Sequence, residues 1–283
     1  MKSTQQITRA MKMVAAAKFR RAEEKVEHAE RFMKRIDAII YKLAPFFGSV
    51  HHPYLNPPAL EGDDPEARTR SLLVLLTSDR GLCGAFNSHL IKQAQELMAA
   101  QQKRGFKVDL FAVGKKGRDF FAKRKITVVR YFENPREGPG WGLVRMLASV
   151  IDEVYRRGDY AEVYVVYAEF VSVVKSEPKV VKLLPVEAPP EESIPAEFEN
   201  VILEPHSGEL VAHALDSYLS AEHMCALLIN YASENAARMV AMDNATGAAG
   251  DMIEALTLEY NKARQAAITG ELLDIVGGAE AMK

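Results

Sequence analysis

The chain has 283 residues, enough for one or two domains, and its 48% hydrophobic and 26% charged residues are typical of an ordinary globular protein. Lys plus Arg (36) nearly balances Asp plus Glu (38), and the resulting net charge of −2 argues against a dedicated nucleic-acid-binding protein. Two cysteines are too few for a disulfide scaffold or a four-ligand zinc site, and no apolar run is long enough to span a membrane.

Residues 1–47 predict one long helix, because they contain no glycine and Pro45 is their only proline. Apolar residues recur at helical spacing on two stripes, namely Ile7, Ala10, Val14 and Ala17, followed by Val26, Ala29, Met33, Ile36, Ile40 and Leu43. The pattern changes phase near Ala22, so we expect an interrupted heptad seam. A helix of this size is roughly 65 Å long and needs a partner along its length.

The middle of the chain predicts an α/β domain over residues 71–186, preceded by a linker at 48–70 with four prolines and two glycines. Short apolar runs alternate there with helical patterns, which is typical of a largely parallel sheet. The predicted strands are 72–77, 107–113, 126–132, 161–170 and 178–186, and the predicted helices are 87–104 and 142–157. No helix precedes the last strand, so we expect it at a sheet edge, as a candidate for antiparallel pairing.

A second linker is predicted at 187–206, which is acidic and rich in proline, and it leads into a carboxy-terminal helix at 207–283. That region has no proline and would form a helix of roughly 110 Å if unbroken. Small and apolar residues form its seam: Met242, Ala245, Ala249, Met252, Leu256 and Ala263. Each interior glycine costs about 1 kcal/mol, so two shorter helices with a break at 247–250 are the alternative.

The predicted fold class is α/β, with a long antiparallel coiled coil of the terminal helices and an inserted Rossmann-like α/β domain. Pairing the two terminal helices is the simplest way to bury both seams. The coiled coil is far longer than the stability of the fold requires. It therefore indicates mechanical or partner-binding work.

Motifs with possible chemistry are weak in this sequence. The turn at 78–87, SDRGLCGAFN, lacks the dinucleotide-binding spacing, and the segment 114–117, GKKG, lacks the other residues of a phosphate-binding loop. Cys83 near a helix start could have a lowered pKa, although an inert small residue is the favoured interpretation. The seven histidines form no metal-ligand spacing. We therefore predict no catalytic residue, no metal and no cofactor.

Two surfaces are candidates for binding partners. The first 21 residues carry six cations and no acid, which favours contact with acidic partners: Lys2, Arg9, Lys12, Lys18, Arg20 and Arg21. Near the other end of the chain the long helix closes with four apolar residues: Leu272, Leu273, Ile275 and Val276. We expect that apolar end to lie in an apolar socket on a partner.

Three stretches resemble the gamma subunit of bacterial F-type ATP synthases. They are TQQITRAMKMVAAAKFRRA (4–22), TSDRGLCGAFN (77–87) and the segment 233–281, which begins SENAARMVAMDNATG. The order of long helix, α/β domain and longer helix extends the resemblance over essentially the whole chain. Family members usually carry a further basic helical stretch before the TQQIT motif, so here we expect part of the carboxy-terminal arm to be unpaired.

The resemblance implies a rotor shaft, without catalysis of its own, at the cytoplasmic face of the plasma membrane. The implied partners are the alpha and beta subunits of the catalytic hexamer, the epsilon subunit and the c-subunit ring, and no nucleic acid. Met11 matches the methionine of the family's coupling region. Arg238 and Gln265 match positions that contact the catalytic subunits. The resemblance leaves open proton or sodium coupling and the direction of operation.

Two rival functions remain at the level of sequence. One is a nucleotide-dependent α/β enzyme with helical dimerisation arms, suggested by the loop glycines and the alternating strands. The other is a coiled-coil tether that does not rotate. Binding of ATP or NAD by the isolated chain would favour the enzyme, and reconstitution with alpha and beta subunits separates the shaft from the tether.

Overall fold

The computed structural model describes residues 1–56, 69–187 and 207–281. A five-stranded sheet with three helices of its own is inserted between two long terminal helices. The helices are α1 Lys2–Leu43, α2 Phe86–Lys103, α3 Lys115–Lys123, α4 Trp141–Arg156 and α5 Ser207–Ala281, with a 3-10 helix at Ala44–Ser49 after α1. The strands are β1 Arg70–Leu76, β2 Lys107–Val113, β3 Val128–Phe132, β4 Glu162–Phe170 and β5 Ser176–Leu184.

The sheet has the strand order β3-β2-β1-β4-β5. The first four strands pair in parallel, and β5 pairs antiparallel with β4 at the edge. β1 lies at the centre and is almost wholly buried from Ser71 onward, as its continuous apolar run requires. The predicted α/β class, the parallel sheet and the antiparallel edge strand are thus confirmed.

The two terminal helices cover one face of the sheet. Leu72, Val74 and Leu76 of β1 point into a core formed with α4, with residues 33–43 of α1 and with residues 211–227 of α5. These two helix segments are called the lower parts of α1 and α5 below. Leu73 and Leu75 point to the opposite face, where α2 and α3 pack. The alternation of side chains along a strand therefore fixes the terminal helices as a structural layer of the α/β domain.

α1 and α5, called the helical pair below, run antiparallel and pack along most of α1. The Thr246 hydroxyl donates to the Thr8 hydroxyl at 2.7 Å, and the ammonium of Lys12 donates to Asp243 at 2.6 Å. A residue later in α1 thus meets a residue earlier in α5, which defines opposite directions. The predicted antiparallel coiled coil is confirmed.

The first apolar stripe predicted on α1 is wrong. Ile7 and Val14 are 57% and 58% exposed, and Ala10 and Ala17 are also exposed. The residues buried against α5 follow one heptad-like spacing from the first turns to the end of the helix, namely Thr8, Ala15, Phe19, Ala22, Met33, Ile36, Ile40 and Leu43, with Val26 and Ala29 half-buried between them. The expected change of phase near Ala22 is therefore also wrong. Small seam residues let the two backbones approach, and the larger Ile7 and Val14 face outward.

α5 is one unbroken helix of 75 residues, about 110 Å long. The alternative of a break at 247–250 is therefore wrong. Met242 is buried on the predicted seam, and Ala245 and Ala249 are half-buried, whereas Met252, Leu256 and Ala263 are exposed. Met252, Leu256 and Ala263 lie beyond the part of α5 that packs against α1, and residues 254–278 are exposed throughout.

Three further sequence predictions have different outcomes. α3 was not predicted, because its nine residues contain few apolar positions. The predicted linkers at 48–70 and 187–206 lie largely outside the described residues, and their limits stay predictions. Among the helices that the structure describes, none combines the length and apolarity of a membrane span.

Candidate functional site

The helical pair meets the α/β domain at the carboxyl ends of β1, β2 and β3. A cavity of about 440 Å³, called the junction cavity below, opens there. Met11 and Lys18 of α1 and Glu234 and Arg238 of α5 form one wall. The other wall consists of the loops after the three strands: 79–82, Lys115 and 133–136. The two parts of the molecule face each other here across a gap lined by both apolar and charged side chains.

The loop after β1, residues 77–85 and called the β1 loop below, has a tightly fixed backbone. Asn87 accepts from the Ser78 backbone N–H at 2.9 Å and donates to the Ser78 hydroxyl at 2.8 Å. Gly84 and Leu82 adopt left-handed backbone angles, with φ of 58° and 63°. For Leu82 this conformation costs about 1–3 kcal/mol, and its side chain is 61% exposed. The turn predicted for this segment is confirmed, and it presents an apolar side chain to solvent.

The first turn of α3 is sealed by the end of β1. The backbone N–H groups of Lys115, Lys116 and Gly117 donate to the Asp79 carboxylate, the Ser78 carbonyl and the Thr77 hydroxyl at 2.8, 3.0 and 2.9 Å. A phosphate bound at a helix N-terminus requires such groups to be free. The GKKG segment therefore serves helix packing, which supports the prediction that it is not a phosphate-binding loop.

Gly114 shows the same close approach. Its φ is 97°, and a Cβ atom there would lie 2.1 Å from the Thr77 carbonyl oxygen. Only glycine fits this contact, because any side chain would overlap the backbone of the neighbouring strand. The glycine is thus explained by packing between β1 and α3.

Glu234 and Arg238 form an ion pair at 2.7 Å on the face of α5 that looks into the junction cavity. Both side chains are largely buried, at 10% and 12% exposure. Burial raises the pKa of Glu234, and the Arg238 cation opposes that rise. One guanidinium nitrogen of Arg238 also lies 3.4 Å from the carbonyl oxygens of Arg80 and Gly81. Arg238 therefore joins α5 to the β1 loop.

The structure brings together two of the three predicted contact residues. Met11 is half-buried and lines the junction cavity together with Arg238. Gln265 is exposed on the free part of α5, about 40 Å along the helix axis from Arg238. Met11 and Arg238 thus belong to one site and Gln265 to another surface.

The predicted basic face divides into two groups. Lys12 pairs with Asp243 on α5, and Lys18 donates to the Arg136 carbonyl at 2.5 Å, so both cations hold the chain together. Arg9, Arg20 and Arg21 are exposed and have no ion-pair partner within the described ranges. Lys2 is exposed as well, so four cations of the predicted face are available to an acidic partner.

The four apolar residues predicted at the far end of α5 are all more than half exposed. Their neighbours on the same helix are exposed as well. An apolar surface at the end of a free helix is costly in water, which is consistent with a partner that covers it.

Cys83 is a buried residue of the β1 loop, and burial raises the pKa of its thiol. The alternative of a lowered pKa at a helix start is therefore wrong, and the interpretation as an inert small residue is favoured. In the part of the chain that the structure describes, no cluster of histidine, cysteine, aspartate and glutamate could hold a metal.

Sequence reasoning missed Glu234, Asp79 and Asn87 as parts of this site. The spacing of Glu234 and Arg238, four residues apart on a helix, signals an ion pair. Nothing in the sequence indicates that the pair is buried against a loop more than 150 residues away in the chain, because that depends on how the helical pair docks on the sheet.

Comparisons with known proteins agree with this architecture. A family model described as ATP synthase matches residues 1–282. The ATP synthase gamma chain of Pelotomaculum thermopropionicum is 42% identical over 282 residues, covering 100% of this chain and 95% of that protein. The ATP synthase gamma chain of Symbiobacterium thermophilum is also 42% identical, over 100% of this chain and 94% of that protein.

Two solved structures share the fold. A chain from the central stalk and c-ring of the Tetrahymena thermophila mitochondrial ATP synthase has a TM-score of 0.61 at 23% identity, covering 85% of this chain and 99% of that one. A chain from the Euglena gracilis mitochondrial ATP synthase has a TM-score of 0.56 at 21% identity, covering 94% and 95%. From the matching model and the full-length relatives, the chain belongs to the ATP synthase gamma chain family.

Proposed function

We propose that this chain is the central rotor shaft of an F-type ATP synthase. Rotation of the membrane ring would turn the helical pair, and the helical pair would drive the catalytic beta subunits through their conformations in turn. The observation that carries the proposal is the upper part of α5, residues 254–278, which is exposed throughout and carries apolar side chains along its length.

A free helix of this kind needs a surrounding partner. Isolated helices are marginally stable in water, since most of their stability in proteins comes from packing. Apolar side chains recur along this segment and are about half exposed or more: Leu256, Leu258, Tyr260, Ile268, Leu272, Leu273, Ile275 and Val276. The central channel of a ring of alpha and beta subunits would cover such a helix on all sides.

The α/β domain supports a non-catalytic role. The first-turn amides of α3 are occupied, and the turn after β1 is closed by its own side chains. The rival enzyme needs an open phosphate site at the carboxyl edge of the sheet. We therefore propose that ATP chemistry belongs to the beta subunits and that the α/β domain contacts the epsilon subunit and the c-subunit ring.

We further propose that Met11, Arg9, Arg20 and Arg21 face the catalytic subunits and that Gln265 contacts them higher on α5. The domain division at 48–70 and 187–206 and the peripheral location at the cytoplasmic face of the plasma membrane belong to the same proposal. The three free arginines are suited to acidic segments of a partner.

Reconstitution tests the proposal. The chain is mixed with alpha and beta subunits of a related bacterial enzyme, and ATPase activity and subunit ratio are measured. We expect one copy of the chain per ring and a restored ATPase rate. An unchanged rate with a bound chain would favour the tether, and saturable ATP or NAD binding by the chain alone would favour the enzyme.

A further inference from the structure

We propose that Arg238 is a positioning residue that latches the β1 loop onto α5, so that the α/β domain and the helical pair turn as one body. The latch consists of Glu234, Arg238 and the carbonyl groups of Arg80 and Gly81. Its role in transmitting torque rests on the rotor function proposed above, whereas its role in holding the loop does not.

The burial of the ion pair is the first argument. Two charged side chains leave water at the junction cavity, and a buried pair of this kind is weak evidence for stability by itself. A buried ion pair has a structural purpose where its geometry selects one arrangement of the surrounding segments over others. Here the arrangement that Arg238 fixes is the position of the β1 loop against α5.

The strain in the β1 loop is the second argument. Leu82 is a branched residue in the left-handed region, and such a conformation persists only where the surroundings hold it. On the sheet side, Asn87 and Ser78 hold the loop. On the side of the helical pair, Arg238 is the residue that donates to its backbone within the described residues.

The position of the latch is the third argument. The lower part of the helical pair is joined to the sheet by a large apolar core. At the junction cavity apolar side chains such as Met11 and Leu82 lie beside charged groups, and polar contacts cross the gap. Several polar contacts therefore connect the helical pair to this end of the sheet. Lys18 and Tyr231 donate to the Arg136 carbonyl, and Asn230 and Ser233 bond the Ala168 backbone. Among the described residues of the helical pair, Arg238 is the one that bonds the β1 loop.

The two native cysteines make the latch measurable. Cys83 is a buried residue of the β1 loop itself, and Cys225 is buried in the core that α5 forms with α1, α4 and the sheet. Labelling of the full chain with a neutral thiol reagent reports local opening at each site. Cys83 reports the loop, and Cys225 is the internal control for general loosening.

The change in the pKa of the Cys83 thiol that follows from losing the Arg238 charge cannot by itself speed the labelling. The Arg238 cation lowers the pKa of the Cys83 thiol against the larger effect of burial. Removing the cation therefore makes the thiol less reactive in the closed state. Faster labelling of Cys83 after loss of Arg238, with unchanged labelling of Cys225, therefore reports a more open loop.

The variants are R238M, R238K and the matched control R31M. Arg31 pairs with Glu27 four residues away on the exposed side of α1, and this pair touches no loop. We expect R238M to speed Cys83 labelling about tenfold, because roughly one charged hydrogen bond to the loop is lost. R238K keeps the pairing charge and should fall between R238M and the unchanged chain. R31M should label like the unchanged chain.

Unchanged Cys83 labelling in R238M would overturn the latch, and so would equal acceleration at Cys83 and Cys225. In vesicles that carry the whole complex, R238M should lower the ratio of protons pumped to ATP hydrolysed, and R31M should leave it unchanged. Normal coupling in R238M with an open loop would overturn the role in torque. A complex whose pumping does not depend on this chain at all would instead contradict the proposed rotor function.

Discussion

The two ends of α5 show opposite relations to the rest of the molecule. The lower part carries Val211, Leu215 and Leu219, which are buried between α1, α4 and the sheet. The upper part, residues 254–278, is exposed on every side. One continuous helix thus has one segment inside a packed core and another segment that packs against nothing in this chain. The contrast teaches that the lower part holds the chain together and that the upper part is a surface for other subunits.

The largest effect is expected from breaking the link between the two parts. Gly250→Pro removes a helical hydrogen bond and adds a clash, at a cost of about 3 kcal/mol or more. ATP-driven proton pumping by the assembled complex should be abolished. Gly250→Ala is the control, because its Cβ would meet only the flexible end of Gln5, at 3.1 Å. Full pumping by the proline variant would show that torque does not pass through this helix.

Shortening a leucine side chain should lower the free energy of unfolding strongly in the lower part of α5 and hardly at all in its upper part. Leu215→Ala leaves a cavity in the packed region and should lower the free energy of unfolding by about 3–4 kcal/mol. Leu273→Ala, on the exposed end, should change it by less than about 0.5 kcal/mol. Urea denaturation of the isolated chain measures both. Similar losses for the two variants would contradict the division.

The lower part should also be sensitive to acid through His223. Its side chain is fully buried, and Nδ1 lies 2.6 Å from the Leu219 carbonyl, which can only accept, so the neutral ring carries its proton on Nδ1. Burial lowers the pKa of His223 from 6.5 to about 4. The unfolded chain therefore gains a proton as the pH falls below 6.5, and the folded chain does not until about pH 4.

The contribution of His223 to the free energy of unfolding should accordingly be fully present above pH 6.5. It should be lost as the pH falls from 6.5 to 4, which lowers the free energy of unfolding by about 3 kcal/mol. His223→Phe removes the group that takes up the proton. The fall in the free energy of unfolding between pH 7 and pH 4 should therefore be about 3 kcal/mol smaller in this variant than in the unchanged chain. The comparison is made by urea denaturation at pH 7 and pH 4. Parallel losses in both chains would mean that His223 is not the source.

The smallest effect is expected in the upper part. Gly270→Ala should stabilise the exposed helix locally by about 1 kcal/mol, because glycine is unfavourable in a helix interior. Helix content measured by circular dichroism should rise slightly, while the midpoint of global unfolding should not move. A shifted midpoint would show that the upper part is coupled to the core in the isolated chain.

Much of the fold follows from the sequence because its signals are local. The run at 72–77 is apolar without interruption and predicts a central strand, and the absence of proline after residue 207 predicts the long helix. The seam of α1 was misplaced because Ile7 and Val14 are more apolar than Thr8 and Ala15. The choice between these faces depends on how closely the partner helix approaches, which composition does not express.

The candidate site was predictable only in part. Met11 and Arg238 were identified through the resemblance, and the structure places them at one cavity. The contact from Arg238 to the β1 loop joins positions far apart in sequence. Whether it forms depends on how the helical pair docks on the sheet. No local pattern contains that information.

Rotation itself is the most direct test of the central claim. The chain is assembled with alpha and beta subunits fixed to a surface, and a probe is attached to the α/β domain through Lys103→Cys, an exposed position, while both native cysteines are buried. With ATP, the probe should turn continuously in one direction. A probe that stays still while the same particles hydrolyse ATP would contradict the assignment of this chain as the shaft.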